Sequence, residues 1–253
     1  MKKIALALAR VLALMMSVIP WKLRHGQIFA ALVLESRIGR PDAALRRLYS
    51  LHDDLERIIA ERAMAHGGGV HPKHGLTRYH DFFVARIGPD ERVLDIGCGY
   101  GAVARAIARA RPGATVAGIE IEARLVEQAR AADNPPNLAF ILGDATRTLP
   151  DGPWTTVVLS NILEHLEDRV DFLRALMAAQ EPKVVLIRVP AFERSWHVPM
   201  RKELGMFYFN DRTHFIEHTE AQFREEIAAA GLEITEFRTV WGEIWAACRP
   251  AAA

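Results

Sequence analysis

The chain reads as an α/β protein, a doubly wound and mostly parallel sheet carrying an N-terminal helical extension. Three observations predict this. From residue 91 onward, short β-forming runs alternate with helical patterns. The first of those runs stops in three alternating glycines, Gly97, Gly99 and Gly101, directly before an Ala/Arg-rich helical pattern. Ahead of residue 67 the periodicity is helical only, and Gly67-Gly68-Gly69 then breaks it.

The elements follow in order. Ile4 to Ile19 is apolar except for Arg10 and Ser17. As a helix it is about 24 Å long, short of the roughly 20 residues that a membrane span requires. Lys3, Arg10, Ser17 and Arg24 recur every seven residues on one helical face. Pro20 interrupts the pattern, and Trp21-Lys22-Leu23-Arg24 follows as an aromatic–basic anchor. The expectation is an interfacial helix giving residues 1–24 peripheral membrane contact. Packing on its own domain, or on a second copy in a homodimer, is the alternative. A small-residue cleavage pattern is not evident. Leu48, Leu51, Leu55, Ile58 and Ala65 make a second helix over 41–65. Residues 1–66 therefore form the extension and 67–253 the main domain.

A helix over 77–87 leads into strand 91–96. Helix 101–111, strand 114–120, helix 122–132, strands 137–142 and 154–159, helix 166–180 and strand 183–189 come next. The segment 190–218 is too long for an ordinary connection, and such segments often carry function. Thr219-Glu220 signals the start of a helix that ends at Gly231. Strands 232–240 and 243–249, separated by Trp241-Gly242, predict a closing hairpin.

Half of the 253 residues are apolar and a quarter charged, the profile of a globular protein. Net charge is +1, unevenly spread. Residues 1–40 hold seven Lys/Arg against Glu35 alone, and the rest carries 25 basic and 30 acidic residues. That balance gives a nucleic acid no broad electrostatic footprint, so none is expected as a partner. Cys98 and Cys248 form no metal-type pair, and reduced thiols in a cytoplasmic setting are the default.

A strand that ends in glycines and opens a helix offers bare N–H groups and a positive helix end to a ligand. Asp95, just before the turn, adds a carboxylate suited to a cationic amino group. GCGYGA also fits the loose dinucleotide pattern, but a pyrophosphate beside Asp95 would be repelled. VLDIGCGYG (93–101) resembles motif I of the class I S-adenosylmethionine-dependent methyltransferases, and the elements that follow keep that family's order. Strand 115–120 ends on Glu120, strand 138–142 is followed by Gly143-Asp144, and the fourth strand leads into Leu163-Glu164-His165. Trp154-Thr155-Thr156 stands in place of the aromatic–Asp pair often found there.

The resemblance implies a seven-stranded, Rossmann-like methyltransferase with S-adenosyl-L-methionine as cofactor. It assigns cofactor contacts to Asp95, Gly97, Cys98, Gly99 and Gly101, to Glu120 and Ile121 at the ribose, to Asp144 and Ala145 at the adenine, and to Asn161. A hydroxyl acceptor also needs a base, and His165 stands at the strand end where doubly wound sheets bind ligands. His165, His214 and His74 are the candidate catalytic side chains. Segment 190–218, with Trp196, Arg201, Tyr208, Arg212 and His214, is the expected acceptor pocket, and His71-Pro72-Lys73-His74 with Tyr79 is a second candidate lining. Asp211, His214 and His218 resemble metal ligands, but the Thr219 cap keeps His214 and His218 off a common helix, and no metal is expected. The acceptor expected is a small molecule, a saccharide or lipid-linked intermediate, attacked through oxygen. The setting expected is the cytoplasm or the inner membrane face. A non-catalytic scaffold with the same fold, associating with membrane or protein, is the alternative.

Overall fold

Apolar, β-rich runs without interruption make strands that are buried on both faces. β1 (Arg92–Ile96) is buried at every residue after the first. It lies between β2 (Thr115–Glu120) and β4 (Thr156–Ser160), parallel to both. β3 (Leu138–Leu142) extends the sheet beyond β2, and β5 (Val184–Pro190) extends it beyond β4. The order is β3-β2-β1-β4-β5-β7-β6, with β7 (Glu243–Pro250) antiparallel to both β5 and β6 (Leu232–Val240). This is the seven-stranded, mostly parallel sheet expected, with the closing hairpin in place. Trp241 and Gly242 both adopt positive φ between its strands, as a two-residue hairpin turn demands. The computed structural model describes Leu14 and residues 17–252. The interfacial-helix expectation for residues 1–24 lies largely outside the described residues.

Alternation along each strand sends neighbours to opposite faces. Leu94, Ile96, Leu159 and Ile187 point to one side, against Leu173 and Leu176 of α7 (Arg169–Gln180) and Phe223 and Ile227 of α9 (Glu220–Ala229). Val93, Val116, Val158 and Leu186 point to the other. There they meet Phe83 of α4 (Tyr79–Val84), Ile107 of α5 (Ala102–Ala110) and Val126 of α6 (Ala123–Ala131). The helix expected over 77–87 is instead two short ones, α3 (Lys73–Thr77) and α4. Arg78 between them is left-handed at φ 52°, and its guanidinium bonds Asp81 at 2.7 Å. The break lets Tyr79, Phe82 and Phe83 turn inward.

The Trp154-Thr155-Thr156 departure has a local explanation. Thr155 Oγ1 accepts from the Arg92 N–H (3.1 Å) and donates to the Arg92 carbonyl (3.0 Å), while Thr156 Oγ1 bonds the Glu91 carboxylate. Trp154 is buried beneath the Arg92 guanidinium, 4.6 Å from the ring centre.

The chain divides into two compact units at His71–Pro72. Within the first, α1 (Trp21–Arg37) and α2 (Pro41–His66) pair as a hairpin. Arg47 bonds the Glu35 carboxylate at 2.8 Å and the Glu35 carbonyl at 2.9 Å, satisfying an acceptor in the last turn of α1. Sequence patterning did not reveal α1. Pro20 precedes this helix, a position where its missing N–H costs nothing. Among the described residues no helix is long and apolar enough to cross a membrane.

In the second unit, Glu226 of α9 receives Arg169 (2.7 Å) and the buried His218 (2.9 Å). Burial raises its carboxyl, but the hydrogen bonds from His218 and Arg169 outweigh burial and hold it at about 2, below the ordinary 4.5. A depressed carboxylate stabilises the fold above its unfolded value and loses that contribution as pH falls through the folded one. Stability is therefore expected to decline between pH 4.5 and 2, by about 1–2 kcal/mol from this group. Urea unfolding of Glu226→Gln should lack that component, and an unchanged acid limb would contradict it.

Candidate active site

The strand order reverses between β1 and β4, and doubly wound sheets bind ligands in the crevice at the carboxyl ends of the strands at such a point. After Ile96, the N–H groups of Gly97 and Cys98 both donate to the Ile119 carbonyl, at 2.8 and 3.1 Å, which draws the turn against β2. A Cβ on Gly97 would overlap the Ile162 side chain, and one on Gly101 would overlap the Phe140 ring. Gly99 differs. It has φ +56°, and a Cβ there would meet nothing within 4 Å. Packing accounts for the outer two glycines, whereas open space lies in front of Gly99. The turn is a cradle that a side chain would fill.

Glu120, at the end of β2, holds this turn. One carboxylate oxygen accepts from the Gly99 N–H and the other from the Glu122 N–H, both at 2.9 Å. Ile121 beside it is exposed. Asp95 is turned inward. It is 1% exposed, and its Oδ2 accepts from the Ala104 N–H (3.1 Å), one of the unpaired donors in the first turn of α5. Burial pushes its carboxyl up to about 7, opposed by that hydrogen bond and reinforced by Glu120. Cys98 fills the space over Gly118, and burial pushes its thiol far up. Such a thiol is no nucleophile.

Beyond β3, Asp144 makes an Asx turn. Its Oδ1 accepts from the Thr146 N–H (3.0 Å) and hydroxyl (2.6 Å), and Oδ2 lies 3.2 Å from Arg147. The Thr146 bonds, with Arg147, hold its carboxyl below the usual range. Asp144 borders a cavity of about 350 Å³ with Ile119, Ile141 and Leu149. Ala145 borders a larger one, about 930 Å³, between the 145–152 loop and α7. The larger cavity does not reach the glycine turn.

After β4 the chain bends sharply. Asn161 is left-handed (φ 61°), its N–H donates to the Arg188 carbonyl (2.7 Å), and its Oδ1 is buried without a partner among the described residues. Leu163–His165 forms a single 3₁₀ turn. Here the structure brings together two residues that are 49 apart in the chain. The His165 and His214 rings meet edge to face, with centres 4.7 Å apart. Burial lowers the His165 pKa, and His214 lowers it further. The Phe215 N–H donates to the Glu164 carbonyl at 2.8 Å, which fixes the 211–217 loop to this turn. Glu164 itself is fully buried with neither carboxylate oxygen hydrogen-bonded among the described residues. Burial pushes it up to about 8, opposed in part by its own backbone and by Arg188.

His74 belongs to a separate cluster beside the glycine turn. Its Nδ1 lies 2.7 Å from the Tyr79 hydroxyl and its Nε2 lies 3.2 Å from the Tyr100 hydroxyl. Burial pushes Tyr79 up to about 12. The Arg188 guanidinium stacks on the Tyr79 ring at 3.9 Å while engaging both oxygens of Glu243.

Segment 190–218 is ordered around one buried acid that patterning missed. Glu217 binds Arg194, His214 (3.1 Å) and the Asn210 N–H. A short helix, α8 (His197–Glu203), lies within the segment with Pro199 tolerated in its first turn. An acid next to a histidine in an otherwise aromatic stretch was the available signal for Glu217.

Residues 71–236 match the family model described as a methyltransferase domain. The chain belongs to the class I S-adenosylmethionine-dependent methyltransferases. It is 28% identical over 149 residues to a ubiquinone biosynthesis O-methyltransferase of Xanthomonas campestris pv. campestris, covering 56% of this chain and 61% of that one. Against the trans-aconitate 2-methyltransferase of Streptomyces avermitilis it is 27% identical over 162 residues, covering 59% and 60%. The chain thus spans about three-fifths of the length of these relatives. The fold is shared with the magnesium protoporphyrin IX methyltransferase of Synechocystis, solved with bound SAH. That structure has a TM-score of 0.54 at 19% identity, over 71% of this chain and 83% of that one. S-adenosylmethionine is the cofactor of this family, and the open face of Gly99 fits it.

Proposed function

We propose that this methyltransferase alkylates a hydroxyl oxygen of a small polar acceptor held between the glycine turn and segment 190–218. When bound, S-adenosylmethionine supplies a sulfonium methyl group open to in-line displacement. With it in place, transfer of that methyl group to the acceptor oxygen would leave S-adenosylhomocysteine, and the hydroxyl proton would pass to the protein side of the crevice. Gly99 and Glu120 grip the cofactor, and Ile121, Asp144 and Ala145 border its nucleoside. Asn161 stands toward its amino-acid end, and Asp95, bonded to the Ala104 N–H, braces the turn from behind.

The observation that carries this reading is the His165–His214 pair at the end of β4, where the acceptor proton must go. Both rings turn Nδ1 toward the protein, onto Thr213 (2.9 Å) and Glu217 (3.1 Å). Their Nε2 atoms remain for the crevice. His74, with Tyr79 and Tyr100, lines the opposite wall. Trp196, Phe207 and Phe215 are exposed along segment 190–218, beside Arg201 and Arg212. Rings and cations together suit a saccharide or a lipid-linked intermediate. Two relatives whose names specify small-molecule pathways support a small acceptor over a polymer.

His165→Gln is expected to lower methyl-transfer turnover about 100-fold with cofactor affinity unchanged. Unaltered turnover would remove His165 from the reaction. The acceptor class is tested by incubating cell-extract fractions with methyl-labelled cofactor. Label in a small hydroxylated compound is expected, and label confined to RNA or protein would contradict the reading. Peripheral contact of a cytoplasmic protein through residues 1–24 is part of the same proposal, supported by exposed Val18, Trp21 and Leu23. Removing residues 1–24 should then weaken sedimentation with anionic vesicles, and equal sedimentation would refute that contact.

A further inference from the structure

We infer that Glu164, His165 and His214 form a binding site for a divalent transition-metal cation at the acceptor end of the crevice. One ligand atom from each residue lies within 4.8 Å of the other two. Ligands 2.0–2.2 Å from a common ion sit about 3–3.5 Å apart, so side-chain adjustments of an ångström or so close the set.

Hydrogen bonding fixes what each group offers. The Thr213 hydroxyl donates to Asp211 Oδ1 (2.7 Å), so it can only accept from His165 Nδ1 at 2.9 Å. That nitrogen carries the proton, and Nε2 carries a lone pair. His214 Nδ1 faces the Glu217 carboxylate at 3.1 Å, which sets the same tautomer. Imidazoles whose far nitrogen donates to an oxygen or carboxylate are the usual arrangement around a bound metal. Glu164 adds a fully buried carboxylate with no hydrogen-bond donor on either oxygen among the described residues. Arg188, the cation that acts on Glu164, is committed to Glu243. Two imidazole lone pairs and a buried carboxyl group that gives up its proton on binding a metal therefore converge. A cation satisfies all three at once. Asn161 Oδ1, buried and also unpartnered three residues earlier, is a further oxygen at the same strand end.

Two imidazole nitrogens and one carboxylate favour zinc, manganese, iron(II) or cobalt over magnesium or calcium, which prefer all-oxygen sets. Three protein ligands leave positions open to an acceptor oxygen. An oxygen bound there ionises more readily, so the cation would take over from the imidazoles the task of preparing the nucleophile. This last step rests on the proposed function; the site itself does not.

The test uses tag-free full-length protein, stripped with EDTA and titrated with Co²⁺ and Zn²⁺. Expected are one equivalent bound at micromolar affinity or tighter, visible Co²⁺ ligand-field absorption and a raised melting temperature with Zn²⁺. Glu164→Gln and His214→Ala should each weaken binding at least 100-fold. Thr213→Val, which only releases the far side of His165, should weaken it about 10-fold while the fold is retained. All three variants should still bind S-adenosylhomocysteine, which separates loss of the site from loss of the fold. No Co²⁺ spectrum in the native protein, or binding unchanged in Glu164→Gln, would overturn the inference. Cation binding without methyl transfer would sink the proposed acceptor chemistry and leave the site standing.

Discussion

Gly99→Val is expected to abolish cofactor binding in a protein that remains folded. In the folded chain nothing beyond the adjoining residues stands within 4 Å of a Cβ at this position, so the Cβ itself is accommodated. The left-handed backbone at φ +56° still penalises it, by about 1–2 kcal/mol, or a melting temperature lower by roughly 2–8 °C. The methyl groups would occupy the space that the cofactor needs, and a loss of affinity beyond 100-fold, about 2.7 kcal/mol, is expected. Gly101→Val is the contrast. Its side chain collides with Phe140 and should unfold the turn itself. Circular dichroism melting and equilibrium binding of labelled S-adenosylmethionine read both variants. Retained binding in Gly99→Val would mean that the cradle is not the site.

Glu217→Ala is expected to have the largest effect on stability. Its carboxylate is wholly buried, and removing it strands Arg194, whose side chain is 16% exposed, and frees His214 and the Asn210 N–H together. Breaking a buried pair by deleting one partner costs about 3–5 kcal/mol. In a chain of this size that corresponds to a melting temperature lower by roughly 6–20 °C. Segment 190–218 should become susceptible to proteolysis around Trp196–Arg212, and His214 should lose its fixed ring orientation. Unchanged melting and an unchanged cleavage pattern would show that the segment is held by something else.

The parallel sheet and its helices were legible because each strand is a short apolar run bounded by turn chemistry, and each helix carries its own period. The helix start that Thr219-Glu220 signalled is in place, and Thr219 closes a capping box there with Gln222. The glycine turn was legible for a similar reason, since it is local: strand, turn and helix are contiguous over Val93–Ala110. What patterning missed depends on contacts distant in sequence. Arg78 breaks the expected 77–87 helix because the rings that follow it, Tyr79, Phe82 and Phe83, are drawn into the core, a tertiary effect without a periodic signature. Glu217 sits in a segment without period, and its value comes from Arg194, 23 residues earlier. Glu164 reads in sequence as one acid among many, and only the fold reveals that His214 comes near it and that neither of its oxygens has a hydrogen-bond partner among the described residues. Asp95 and Asp144 share the opposite lesson. Their positions in the chain fit the family, but in the folded protein Asp95 bonds the first turn of α5 and Asp144 forms an Asx turn.

The account depends on an exposed backbone hollow at Gly99, braced by Glu120, accommodating a sulfonium nucleoside. Isothermal calorimetry of the native full-length protein with S-adenosylhomocysteine tests this most directly. One molecule bound per chain at micromolar affinity, with heat that disappears in Gly99→Val, is the predicted result. No heat from the native protein, or the same heat from both, would contradict it.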